Sequence, residues 1–282
     1  SCHPVGFLIM RHILSRISLT GMLICFLSLT RAQELFVYTE PASNMPAKSV
    51  GLRASNWLMP DNQTHTINYQ FIPEVMVGAG RKLMIHADGF FSNQNGHFHA
   101  VGGGTYLKYR FYSSDQVNRH FRLAAFGRLS LNNSAITQEE IDLSRFNTGW
   151  ALGIVGTQLL HKQAISASVS YNRDYNNGAE NKIPPGQADQ AVNYTLSTGR
   201  LIFPRNYENY RQTNLNLMVE LLGQDLVHSG GSYLDLASAV QFIFNSQTRV
   251  DIGYKFQLYS TMQRTTPNGF MIRFEHLLFN VL

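Results

Sequence analysis

The chain has 282 residues, 44% hydrophobic but only 15% charged, with a formal net charge of +5. An average soluble protein is roughly 25% charged, yet the mean hydropathy here is only −0.15, which excludes a bundle of apolar helices of about 20 residues each. The 18 Phe and 13 Tyr exclude a disordered chain and suit strands with one apolar and one polar face.

Met10 opens a short basic segment with Arg11 and Arg16, and an apolar run follows from Ile17 to Leu29. Thr30-Arg31-Ala32-Gln33 then puts small residues at the −3 and −1 positions of a cut after Ala32. These are the three regions of a cleavable secretory signal. Residues 1–32 are therefore expected to be removed, with residues 1–9 upstream of the true start at Met10. The apolar run is too short to cross a bilayer comfortably. Its removal takes away Arg11, Arg16 and Arg31 and no acid, so the net charge falls from +5 to +2. Nucleic acid is accordingly not an expected partner. Cys2 and Cys25 leave with the signal, so no disulfide, thiolate metal site or Cys nucleophile is expected. Ile24 stands where a lipid-attachment cysteine wants a small neighbour, so no lipid anchor is expected either. Residues 33–46 are read as an N-terminal periplasmic segment or plug. Apolar anchors with Pro41 and Pro46 also suit an extended strand that docks on a partner.

From residue 47 onward, segments of roughly ten residues alternate apolar and polar side chains. Twelve are expected, over 47–58, 66–77, 83–92, 98–111, 120–131, 148–160, 164–174, 191–203, 213–222, 232–244, 249–259 and 269–280. In the second, Ile67, Tyr69, Phe71, Val75 and Val77 interleave with Asn68, Gln70 and Glu74. In the ninth, Leu215, Leu217, Val219 and Leu221 interleave with Asn214, Asn216 and Glu220. An arginine at Leu217 is therefore expected to be costly, and one at Asn216 far cheaper. The connections 78–82, 113–119, 161–163, 204–212 and 245–248 are mostly short. The interleaved ones tend to be longer and more polar, the longest being 132–147 and 175–190. That asymmetry belongs to transmembrane barrels, with the short set periplasmic and the long set outside. A soluble β-sandwich shares the alternation, but its strands are usually five or six residues long. The expectation is an all-β fold, a transmembrane antiparallel up-and-down β-barrel of about 12 strands.

The chain ends in an aromatic-rich strand, Gly269-Phe270-Met271-Ile272-Arg273-Phe274-Glu275-His276-Leu277-Leu278-Phe279. With the signal ending at Ala32-Gln33 and the opening Glu34-Leu35-Phe36-Val37-Tyr38-Thr39-Glu40-Pro41, it resembles uncharacterised transporter-type barrels of the Gram-negative bacterial outer membrane. The resemblance covers most of the chain and implies location, architecture and a porin-like transport role. It also implies the outer-membrane lipid and, through the C-terminal strand, the barrel assembly machinery as partners.

The polar faces direct Glu74, Asp88, Glu220, Asp235, Asp251 and Glu275 inward, with Lys108, Arg110, Arg122, Arg128, Lys255 and Arg273. Two outcomes are open: a transverse field that orients a solute, or charges that pair and fill a narrow lumen. His86, His97 and His99 are weak metal candidates near Asp88, lacking a firm third ligand. Gly102-Gly103-Gly104 lacks the Lys-Ser/Thr of a phosphate loop and marks a close backbone approach instead. Ser92 with His99, or Ser260 with His276, is the only hydrolase-like pairing in view, and no Gly-x-Ser-x-Gly motif supports it. The functional expectation is a non-enzymatic barrel without cofactor that binds or passes a small solute. The alternatives are a docking barrel for a periplasmic or surface machine and, further off, a lipid hydrolase.

Overall fold

Alternation along the chain produces strands with two unlike faces, and a ring is the arrangement that leaves no strand edge unpaired. A computed structural model describes residues 36–94, 96–117, 119–204 and 212–282. The expected signal, its cleavage after Ala32 and residues 33–35 lie outside the described residues. Twelve strands form: β1 (Val50–Pro60), β2 (Ile67–Val77), β3 (Leu83–Ser92), β4 (His99–Gln116), β5 (Arg119–Asn132), β6 (Gly149–Leu160), β7 (Gln163–Asp174), β8 (Gln190–Phe203), β9 (Asn214–Leu226), β10 (Ser232–Phe244), β11 (Thr248–Ser260) and β12 (Gly269–Leu278). Each pairs antiparallel with its sequence neighbours, and β1 pairs with β12 from Val50↔Leu278 to Leu58↔Phe270. The barrel is closed.

Its two faces reverse the pattern of a soluble protein. Every strand exposes at least one large apolar side chain outward, among them Leu52, Val75, Leu129, Ile154, Val169, Leu217, Ile252 and Phe274. Soluble monomers rarely carry so continuous an apolar surface. The inward face is largely polar and buried, with Asn68, Gln70, Lys108, Ser166, Glu220, Gln241 and Asp251.

One connection differs from expectation. Residues 113–116 continue the β4–β5 ladder against 119–122, through Ser113↔Arg122 and Gln116↔Arg119, after a bulge at Arg110/Tyr112. Ladder hydrogen bonds and the His120–Asp115 pair at 2.7 Å hold this extension where the polar sequence suggested a loop. The glycine run makes the close approach read from the sequence. A Cβ on Gly102 would lie 2.0 Å from the Leu131 carbonyl oxygen, and one on Gly104 would lie 2.5 Å from Asp88 Oδ1.

Candidate functional site: a chamber between two inward-folded segments

The lumen is interrupted from both ends. From the end where the short connections cluster, residues 36–46 fold into the barrel. Pro41 and Pro46 bring no N–H to satisfy, and several of the segment's other polar groups find partners on the wall. Val37 and Tyr38 donate their backbone N–H to Glu220 Oε1, each at 2.9 Å, and Thr39 Oγ1 donates to Oε2 at 2.6 Å. Ala42 N–H donates to Thr157 Oγ1 at 2.9 Å, and Lys108 Nζ donates to the Pro41 carbonyl at 2.7 Å. Arg122 reaches Ser43 Oγ at 2.9 Å. Phe36 packs on Ala164, and Met45 packs on Met76 and Met84. Of the two readings of the 33–46 segment, a plug or a docking strand, the described residues 36–46 take the position of a plug.

From the opposite end, residues 133–148 fold inward as a roof. Gln224 holds both backbone groups of Ile141, at 3.0 and 2.9 Å, and Ile141 and Leu143 join a buried cluster with Tyr233 and Met262. Arg145 bonds Asp142 at 2.6 Å and lies over the Trp57 ring, 4.7 Å from its centroid. The β11–β12 connection, 261–268, locks the roof: Arg264 bonds Glu140 at 2.7 Å and both oxygens of Asp235 at 2.7 Å.

Burial alone would raise the Glu140 carboxyl, but Arg264, Lys255 and Arg145 outweigh it and bring it down to about 2. A folded-state value below the free value of 4.5 contributes closure that is complete above that value and lost as pH falls through about 2. Fluorescence of Trp57 beneath Arg145, read in a Trp150→Phe variant, is expected to change as pH falls through the acid window below 4.5. A signal that stays level through that window would contradict this account of the roof.

Between plug and roof lies a chamber of about 330 Å³. Arg53 is its ionic hub, bonded to Glu275 at 2.7 Å, Glu40 at 2.8 Å and Glu74 at 3.2 Å. Glu74 also pairs with His86. Arg128 pairs with Asp88 at 2.7 Å, and Lys255 with Asp235 at 2.9 Å. Arg249 bonds Glu275 at 2.6 Å and lies 3.3 Å from Asp251.

Of the residues read as inward-facing, the structure brings Glu74, Asp88, Arg128, Lys255 and Arg273 to the chamber wall. Lys108, Arg122 and Glu220 hold the plug, while Asp235, Asp251 and Glu275 lie buried in ion pairs with other residues. Arg110 stands apart at the short-connection rim, on the Arg81 carbonyl at 2.7 Å. Asn216 corrects an expectation: it is fully buried and donates to Gln241 at 2.9 Å. That half of the lumen is filled, so an arginine there would be overpacked rather than cheap.

The histidines do not gather. His97 and His99 stack at 4.7 Å, while His86 faces Tyr106 deep in the lumen. Among the described residues no three His, Cys, Asp or Glu side chains are grouped to hold a metal. Ser260 and His276 lie toward opposite ends of the antiparallel β11–β12 pair, with His276 beside Thr248. Ser92 and His99 are register partners, but His99 Nδ1 contacts the His97 carbonyl instead.

Sequence reading missed Arg53, Glu40, Glu140, Arg145, Arg249 and Arg264. Arg53 was accessible: it shares the inward face of β1 with Gly51, Ser55, Trp57 and Met59. For the roof, the signal is Ile141 and Leu143 inside an otherwise polar connection.

No protein-family model and no curated protein matches the chain. Among solved structures it is similar to the COG4313 outer membrane channel from Pseudomonas putida F1, with TM-score 0.57 and 8% identity over 86% of this chain and 100% of that one. It is also similar to the NanC porin, with TM-score 0.49 and 10% identity over 82% of this chain and 98% of that one. At such identities the likeness to the first is one of fold alone. The chain folds as an outer-membrane-type β-barrel.

Proposed function

We propose that this protein is an outer-membrane channel for a small solute, closed in the described state by the 36–46 plug and the 133–148 roof. One observation carries the reading: a polar chamber sits on the barrel axis with an inward-folded segment on either side. A purely structural barrel needs no such cavity, and filling it would gain packing. The channel opens when plug or roof withdraws, and the chamber's polar groups then contact the passing solute. Planar-bilayer conductance of the refolded chain, with and without residues 36–46, is the test. Discrete current steps that grow on removal of the plug support the reading, and absence of steps in both forms rejects it.

Export places the longer connections outside the cell and the short ones in the periplasm. Cysteines at Ser144 or Asn176, in a mature chain with none of its own, would then be sites for an impermeant thiol reagent. Because the roof folds inward, Asn176 is expected to label on whole cells faster than Ser144. Labelling at His161→Cys instead would invert the topology.

A further inference from the structure

The chamber contains one arginine that makes no direct ion pair with the barrel wall. Arg273 projects from β12, and its Nε donates to Ser55 Oγ at 3.0 Å. Among the described residues no carboxylate lies within 4.0 Å of its guanidinium. Its neighbour across the β11–β12 pair is Asp251, yet that carboxylate sits 3.3 Å from Arg249 instead. The other chamber cations are engaged: Arg53, Arg128, Arg145 and Lys255 each hold at least one acid. Arg273 lines the chamber, and its terminal nitrogens are not among the buried atoms left without a partner.

Beside Arg273 stands an aromatic wall. Trp57 lies two residues beyond Ser55 on the same face of β1, and Tyr38 of the plug meets it edge-on at 5.6 Å. We infer that the chamber binds a small organic monoanion, its carboxylate on the free edge of Arg273 and its apolar body against Trp57 and Tyr38. This rests on the channel reading and names its solute class. A guanidinium with Nε engaged still presents two parallel N–H donors to a carboxylate. An ion held away from bulk water without a partner is costly, so a bound anion gains what the wall does not supply. One free cation suits one negative charge; Glu40, Glu74 and Glu140 line the same space and repel a second. A chamber of about 330 Å³ admits a small ligand only.

The probe is benzoate, with benzamide as its uncharged isostere, added to the refolded chain in detergent. The readout is Trp57 fluorescence in the Trp150→Phe background. Saturable benzoate binding is expected, with benzamide about tenfold weaker or worse. Arg273→Gln should reduce benzoate to the benzamide level, and Arg273→Lys should retain part of the preference. Equal binding of the two probes by the parent chain, or full benzoate affinity in Arg273→Gln, overturns the inference. If Arg273→Gln does not refold, the parent-chain comparison and Arg273→Lys decide it by the same criterion. Bilayer conductance is read separately. Current steps without a benzoate preference overturn the anion site and leave the channel standing. A benzoate preference without steps in either form does the reverse.

Discussion

Removing residues 36–46 is expected to raise the single-channel conductance of the refolded barrel by about tenfold, because hydrophobic and hydrogen-bonded filling is exchanged for water-wide space. The plug's anchor is Glu220, a carboxylate that binds two backbone N–H groups and the Thr39 hydroxyl of the segment, plus Ser197 of the wall at 3.1 Å. No cation pairs with it among the described residues, so the segment's own donors are what make the buried charge tolerable. Once the segment is gone, water must enter to solvate Glu220, Lys108 and Arg122, and entering water is what carries current. The barrel itself should survive, since its ladder is independent of the plug. Glu220→Gln is the milder version: the amide oxygen still accepts, but the charge-assisted bonds weaken, and brief openings should appear where the parent shows a steady low level. If deletion leaves the current unchanged, the 36–46 segment is not the closure, and the roof alone sets the conductance.

Much of the barrel was legible because period-two alternation is a local signal, repeated twelve times and terminated by short polar connections. Most of the residues read as facing inward meet partners outside their own hairpin, and those partners were not legible. Glu220 and Val37 are separated by 183 residues, and Arg264 and Glu140 by 124. Alternation reports which face a side chain takes, but it carries no information on what fills the lumen. The roof shows this best. Its length and polarity matched an outside loop, yet Ile141 and Leu143 turn it inward to bury apolar surface against Tyr233 and Met262. Asn216 was misjudged for the same reason, because a polar inward face was equated with a wet one. Arg53 was overlooked although its strand alternates cleanly; its role as hub depends on Glu40, which comes from a segment without alternation.

An arginine at Val169 is expected to cost about 2–4 kcal/mol of folding free energy in bilayers, and one at Ser168 far less. The two residues are adjacent near the middle of β7, so strand position and backbone pairing are nearly matched and only the face differs. Val169 points outward in a row with Ile154 and Tyr194, its register partners on either side, and all three are exposed. Ser168 points inward, bonds Thr195 at 2.6 Å and lines the chamber. A guanidinium at Val169 must sit in hydrocarbon or bend toward the headgroups. At Ser168 it enters a polar cavity that already holds Glu40 and Glu74, and it loses only one hydroxyl contact. Chemical unfolding from lipid vesicles measures the difference. A soluble sandwich would have no lipid to make Val169→Arg costly at an exposed position, so equal costs, or a higher cost at Ser168, would remove the membrane-facing assignment of the outer row. Refolding adds the independent half of the test: with so much apolar surface turned outward, the chain should fold only when an amphiphile covers it and then resist unfolding in cold SDS.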